Sequence, residues 1–335
     1  MNIEQLKRTM VVEYIWIGGA GELRSKTRVL QRVNALSLED IPDWDYDGSS
    51  TGQAEGSDSE VILKPCFGCR DPHRTSSDIL VLCATYRPDG TPLSNNHRDW
   101  AVATFNRNLS QKPWFGLEQE YFILNKDVRY PETQGRFYCS VGTNNAYYRS
   151  VAELHMRACI DAGLTISGIN AEVAPAQWEF QIGPCEGITA GDQMYIARYL
   201  LEHVSEKHGL IISYEPKALG QSYNGSGCHV NFSTKVMREP GGLKHIYLAV
   251  DALKNKHHEH MTVYGEGNRQ RLTGMHETSS YETFSSGIAD RGASIRIGNK
   301  TISDGYGYFE DRRPAANIDP YLVTAKIFET TLTKI

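Results

Sequence analysis

Short apolar runs separated by glycine- and proline-rich turns dominate the first hundred residues. Val11-Val-Glu-Tyr-Ile-Trp-Ile17 and Leu23 to Leu30 flank Gly18-Gly-Ala-Gly21, and this order of strand, turn and strand predicts a hairpin. The glycine cluster lacks the Gly-Lys-Ser/Thr ending of a phosphate loop and runs into strand-like sequence, so it reads as a turn. Val61 to Leu63 and Ile79 to Ala84 predict two further strands. Between them and the hairpin lies Trp44 to Glu60, a polar, glycine-rich loop of the kind that is functional or disordered rather than merely connecting. Its Asp47-Gly-Ser-Ser resembles a fragment of a calcium loop but lacks that motif's spacing. Arg87 to Pro92 forms a turn cluster and Asp99 to Asn108 a short helix, which places a domain boundary near residue 105 and gives domains 1–105 and 106–335.

Beyond that boundary the period lengthens. Ala146, Val151, Leu154, Ala158 and Ala162 recur near 3.6 and stop at Gly163, and Asp192 to His208 and Lys244 to Tyr264 read as further helices. Strands are predicted at Ala171 to Val173, Trp178 to Ile182, Ile211 to Tyr214, His229 to Phe232 and Ser294 to Ile297. No repeat of 20 to 50 residues interrupts the pattern.

Composition narrows the function. The 335 residues are 40% hydrophobic and 22% charged, with a formal net charge of -5, which describes an ordinary globular protein and argues against a nucleic-acid partner held by phosphate neutralisation. No apolar run reaches 18 residues, and Met1 to Arg8 lacks the apolar core of a signal peptide, so a cytoplasmic protein without a membrane partner is expected. Seven scattered cysteines fit reduced thiols, and the close pair Cys66-Phe-Gly-Cys69 reads as buried or loop thiols because no second pair follows at a zinc-ribbon distance.

The candidate chemistry begins at Trp114 to Leu124, an aromatic-rich strand carrying Glu118 and Glu120. Residues two apart on a strand share a face, so these carboxylates lie together with Gly116 and Phe122 and call for a compensating positive charge. Glu172 and Glu179 in Asn170 to Gly183, His229 in Asn224 to Ser233, and Glu310 in Gly307 to Pro314 stand in similarly apolar settings. Oxygen ligands with a single imidazole favour Mg²⁺ or Mn²⁺ over zinc. Arg271, Arg291, Arg296 and Arg312 stand near glycine turns and these acids, which suits neutralisation of a transferring phosphoryl group.

Together, Tyr14 to Ile17, Leu23 to Arg28, Asp47 to Gln53, Trp114 to Tyr121, Asn170 to Gly187, Asn224 to Thr234, Arg271 to Ser279, Arg291 to Ile297 and Gly307 to Pro320 closely resemble the glutamine synthetases of the eukaryotic-like type II form. The resemblance implies an α+β fold, with a small N-terminal β-grasp domain before a catalytic domain whose curved antiparallel sheet is flanked by helices. It implies ATP-dependent joining of ammonia to L-glutamate through γ-glutamyl phosphate. By motif, Glu120, Glu172 and Glu179 match the ligands of one metal, and Glu118, His229 and Glu310 those of another. Arg291 and Arg296 match phosphate-facing arginines, Arg271 and Arg312 the residues holding the glutamate carboxylates, and Asn224 and Gly225 its backbone-side contacts. Trp114, Pro184, Asn231, Ser233 and Tyr308 fall where the family contacts the nucleotide. Glu277 matches a flap residue that deprotonates ammonium, and Asp47 a loop aspartate supplied to the ammonium site by a neighbouring subunit. The implied assembly is a homo-oligomer of two stacked pentameric rings. Two departures, a short Asn125 to Arg136 region and the chain's end at Ile335, touch no candidate site residue.

Two rival readings are a ligase or guanidino kinase on the same fold that accepts a bulkier amine, and an inactive structural relative. The pairing of Asp47 with Glu277 suits a small cation and favours ammonia, and all six metal-ligand positions are kept.

Overall fold

The computed structural model describes residues 9–31, 37–74, 77–132 and 134–332. The N-terminal octapeptide and the last three residues, both used in the sequence reading, lie outside them. The chain forms two compact units, one of residues up to Trp100 with Ala158–Leu164, the other of Ala101–Arg157 with the remainder.

The first unit is built on a five-stranded sheet. The hairpin expected from the glycine turn is present as β1 (Thr9–Ile17) and β2 (Leu23–Gln31), paired antiparallel. β3 (Trp44–Asp47), β4 (Glu60–Arg70) and β5 (Ile79–Tyr86) complete the order β2-β1-β5-β4-β3. β1 and β5 run parallel while the other pairs are antiparallel. Met10, Val12, Tyr14 and Trp16 alternate along β1 into a core shared with Tyr46, Val61, Leu63, Val81 and Cys83. The polar stretch read as a loop thus starts as a strand, because Trp44 and Tyr46 supply apolar contacts to that core. A short helix, α1 (His97–Asn106), follows.

The second unit carries β6 (Trp114–Leu124), α2 (Arg149–Ala162), β7 (Ile166–Ala171), β8 (Gln177–Glu186), α3 (Thr189–Lys207), β9 (Ile211–Ser213) and β10 (Cys228–Ser233). After them come α4 (Leu243–Asn255), α5 (His257–Met261), β11 (Ser286–Ile288), β12 (Ile295–Ile297), α6 (Asn299–Asp304), β13 (Phe309–Asp311) and α7 (Pro320–Leu332). The eight-stranded sheet runs β11-β12-β13-β10-β6-β8-β7, with β9 paired to β6. It is mixed rather than antiparallel throughout, because β11 and β12 run parallel.

Two elements differ from the periodicity. The single helix expected from Lys244 to Tyr264 breaks at Lys256, and after the break His257 and His260 both turn inward and are buried. The strand expected at Ala171 to Val173 ends at Ala171, so Glu172 begins a turn closed by its N–H donating to the Gln177 carbonyl.

Pairing register sorts the sheet into two faces. Phe115, Leu117, Phe180, Val230, Phe232 and Phe309 face one side and are buried. Phe115 packs against Phe232 and Phe105, and Phe105 in turn against Phe328 of α7. Gln119 also points to this side, where its Oε1 accepts from Arg198 Nε and Nη2 at 2.9 and 2.6 Å, so the buried guanidinium of α3 is satisfied. The opposite face carries the chemistry.

Candidate active site

On that face the register places acids beside acids. Glu120 pairs with Glu179, which pairs with Asn170, while Glu118 stands between His229 and Gln181. Arg296 pairs with Glu310, and Glu310 with Asn231. Glu118 and Glu120 therefore share one face, as the period of two requires. No local sequence preference would place them so near Glu179 and Glu310; only strand pairing does.

Two groups of side chains bring their ligand atoms within 4.8 Å of one another: Glu118, His229 and Glu310, and Glu120, Glu179 and His229. The first is the expected triad. The second brings His229 to Glu120 and Glu179 of the other expected set. Glu172 lines the same pocket, but its Oε1 accepts from Asn170 Nδ2 at 2.9 Å and its Oε2 from the Val173 N–H at 3.3 Å. His229 is reached by Arg271 Nη2 at 3.0 Å from Nε2, while its Nδ1 lies 3.6 Å from Glu118 and 3.5 Å from Glu310.

The charge balance calls for a cation. Burial, offset in part by Arg271 and the Gly227 N–H, pushes the Glu120 carboxyl up to about 7. Burial and the Glu120 charge take Glu172 to about 8, and burial with repulsion from Glu118, Glu120 and Glu172 takes Glu179 to about 9. Burial and the nearby arginines, Arg312 foremost, push His229 well below its usual range and keep it neutral. Glu310 Oε2 is buried without an aligned hydrogen-bond donor, although Arg296 Nε approaches to 2.5 Å as an ion contact. Oxygen-rich donors, one neutral imidazole and an under-satisfied carboxylate fit Mg²⁺ or Mn²⁺. Metal binding is therefore expected to release protons, with apparent affinity tightening about tenfold per pH unit for each proton displaced. Calorimetric titration with Mg²⁺ at pH 7.5 in buffers of different ionisation enthalpy checks this; heats independent of buffer would mean no proton leaves.

The acids line a polar pocket of about 120 Å³ that also includes Asn224, Gly225, Arg271, Glu277, Arg291, Arg296 and Arg312. Gly225 is forced by close approach, since a Cβ there would lie 2.5 Å from the Pro216 carbonyl oxygen. Arg312 Nη1 donates to Glu310 at 2.8 Å and its Nη2 to the Glu277 carbonyl at 3.3 Å. Arg271, expected to hold substrate, is buried, with Nη1 donating to the Arg313 carbonyl at 3.2 Å and Nη2 to the Arg312 carbonyl at 3.1 Å. Glu277 sits on a hairpin tip with φ 59°, beside His276 at φ 53°, and its carboxylate lies 3.7 Å from Arg291. Tyr138, Asn170, Gln177, His276 and Thr278 also line the wall, and none is a site candidate from sequence. No spacing signal marks them; tertiary pairing alone brings them in.

Sharing Glu118 with this pocket is a larger, mainly apolar cleft of about 590 Å³. It contains Trp114, Pro184, Asn231, Ser233 and Tyr308 of the expected nucleotide set, whereas Arg291 and Arg296 lie in the polar pocket. Arg238, also missed from sequence, covers one face of Trp114 at 3.9 Å and donates to Ser233 Oγ at 2.9 Å.

Asp47 belongs to the first unit. Its Oδ1 accepts from Ser49 Oγ and its Oδ2 from Ser50 Oγ, each at 2.6 Å, and these bonds hold its carboxyl down to about 2, ionised near neutrality. The Cys66/Cys69 pair lies on β4, and all seven cysteines are free thiols. Burial pushes the Cys69 thiol to about 12.

Comparison with known proteins gives the family. The chain is 56% identical to the putative glutamine synthetase of Acanthamoeba polyphaga mimivirus over 96% of its length and 93% of that protein's. It is 52% identical to the glutamine synthetase of Saccharomyces cerevisiae, covering 98% of this chain and 91% of that one. The glutamine synthetase cytosolic isozyme of Pinus sylvestris is 48% identical, with 99% and 96% covered. The family model "Glutamine synthetase, catalytic domain" matches residues 101–242. A cryoEM structure of Plasmodium falciparum glutamine synthetase shares the fold with a TM-score of 0.78 at 16% identity, covering 98% of this chain and 73% of that one. An acid-lined polar pocket joined to an apolar cleft on a curled mixed sheet defines an enzyme of the metal-assisted class. The chain belongs to the glutamine synthetase family.

Among the described residues, no helix is long and apolar enough to cross a membrane.

Proposed function

We propose that the chain ligates ammonia to the γ-carboxylate of L-glutamate, with ATP converted to ADP and phosphate. The observation that carries this reading is the convergence of Glu118, Glu120, Glu179, His229 and Glu310 on one sheet face beside a nucleotide-sized cleft. A γ-carboxylate oxygen attacks the γ-phosphorus and ADP leaves; ammonia then attacks the acyl carbon and phosphate leaves. Mg²⁺ or Mn²⁺ held by Glu118, His229 and Glu310, and by Glu120 and Glu179 with Glu172 nearby, would neutralise the phosphoryl oxygens. Arg291 and Arg296 face the phosphate, and Asn224, Gly225 and Arg312 position the glutamate. Arg271 acts through His229 and the main chain of Arg312 rather than by a free guanidinium. Trp114, Pro184, Asn231, Ser233 and Tyr308 hold the nucleotide.

Glu277 takes the proton from ammonium, and Asp47 reaches that site from a neighbouring subunit of a homo-oligomer of two stacked pentameric rings. Domains 1–105 and 106–335, the first a β-grasp, and a cytoplasmic location complete the reading. The location is supported by the cytosolic isozyme names of plant relatives.

Purified protein given ATP, Mg²⁺, glutamate and ammonium is expected to release phosphate only when all three substrates are present. Release with an alkylamine but not with ammonium overturns the ammonia assignment. Glu277→Ala is expected to slow ammonium-dependent turnover by about 10²–10⁴-fold, the range for a general base, while ATP affinity stays within a few-fold. Equal losses in both would remove the flap role.

A further inference from the structure

The hairpin that carries Glu277 is closed at its tip by its own residues, with Thr278 Oγ1 donating to the Met275 carbonyl at 2.7 Å and to the Arg271 carbonyl at 3.1 Å. Gly274 N–H donates to the Ser279 carbonyl and Thr278 N–H to that of Met275, each at 3.2 Å, and Met275 is exposed. At its base, Tyr281 N–H donates to the Leu272 carbonyl at 3.0 Å. The Tyr281 carbonyl is bound in turn by His257 Nε2 at 2.9 Å, while His257 Nδ1 meets Arg313 Nη1 at 3.1 Å. A guanidinium only donates, so Nδ1 accepts, and Nε2 carries the proton that it gives to Tyr281. His257 thus has one tautomer and one orientation. Its ring also packs against Phe284, over which Arg313 stacks at 5.2 Å.

Arg313 is itself held on several sides. It is fully buried and joined to Asp311 through Nε and Nη2 at 2.9 and 2.6 Å, and its carbonyl accepts from Asn268 and Arg271. Arg312, the next residue back, reaches the Glu277 carbonyl from the opposite face. The hairpin base and the arginine that touches its tip are therefore fixed to one buried anchor.

We propose that His257 is a positioning residue that sets the register of the Glu277 hairpin on the site through its bond to the Tyr281 carbonyl. This rests on the role given to Glu277 above. The imidazole's two bonds can be separated. Asparagine places an acceptor near Nδ1 and keeps Arg313 satisfied, whereas glutamine places a donor near Nε2 and keeps the Tyr281 bond.

The test compares His257→Asn and His257→Gln with the wild-type protein. It follows hydrogen exchange of the peptide spanning residues 272–284 and the KM for ammonium, with nucleotide affinity as the reference. His257→Asn is expected to speed exchange of that peptide and raise the ammonium KM at least fivefold, with nucleotide affinity within twofold. His257→Gln is expected to stay within twofold of wild type in both. The proposal is overturned if His257→Asn leaves exchange and KM unchanged, or if ammonium KM and nucleotide affinity worsen by the same factor, as a general loss of structure would produce. Should wild-type protein show no ammonium-dependent turnover, the functional reading fails, and the exchange comparison alone still decides whether His257 holds the hairpin.

Discussion

Glu310→Ala is expected to abolish turnover and to destabilise the protein by about 3 kcal/mol, because it strips the shared anion from two cations. Arg296 lies 2.5 Å and Arg312 2.8 Å from this carboxylate, and the Glu310 side chain is 3% exposed. Without it, the largely buried Arg312 guanidinium faces Arg296 and a neutral imidazole without its hydrogen-bonded carboxylate. Glu310→Gln separates the two effects. The amide fills the same volume and its oxygen still accepts from Arg312, so most of the stability should return, but a neutral amide is a poor substitute for an anionic metal ligand. Urea unfolding is expected to place the glutamine variant near wild type and the alanine variant well below it. Both should lose Mg²⁺ binding at the Glu118–His229 position. A glutamine variant that binds Mg²⁺ as tightly as wild type would remove Glu310 from the ligand set.

Asp311→Ala, one residue along β13, is expected to cost about 3–5 kcal/mol, since it leaves a fully buried guanidinium unpaired. Arg313 and Asp311 are each 0% exposed, and Tyr264 OH donates to the same carboxylate at 2.7 Å. Burial acts to raise the Asp311 carboxyl, but Arg313 and the hydrogen bonds from Arg313 and Tyr264 outweigh it and hold the group below its usual range. A carboxyl depressed in the folded state contributes its full stability above its unfolded value of about 3.9, and that contribution is lost as pH falls through the lower folded value. The stability gap between wild type and Asp311→Ala is therefore expected to be constant from pH 7 down to about pH 4 and to shrink below it. Urea midpoints across that range measure it. A gap that widens on acidification would show that Asp311 is not the ionised partner of Arg313.

Neighbouring residues on β13 thus serve opposite faces, and the sequence says this only in part. Two acids, Glu310 and Asp311, beside two arginines, Arg312 and Arg313, are legible in the chain. A three-residue strand has no periodicity to detect, however, and β13 exists only because β10 and β12 pair with it. The same holds for β11, and α6 and α7 were likewise not foreseen. Longer elements with a strong period, such as the hairpin of β1 and β2 and the helix ending at Ala162, were read close to their observed bounds.

By itself, the sequence determined which residues carry charge within apolar strands, which turns glycine permits, and, through dense motif agreement, the family. Those are properties of side-chain identity and local spacing. Tertiary structure alone decided that Glu118 neighbours His229, that Glu120, Glu172 and Glu179 line one pocket, and that Arg271 donates to main-chain carbonyls. It also decided that His257, which no local pattern ties to the site, holds the Glu277 hairpin at its base. The physical reason is that strand pairing and burial join residues from two dozen to more than a hundred positions apart, and no local pattern encodes which partner a carboxylate or a guanidinium will meet.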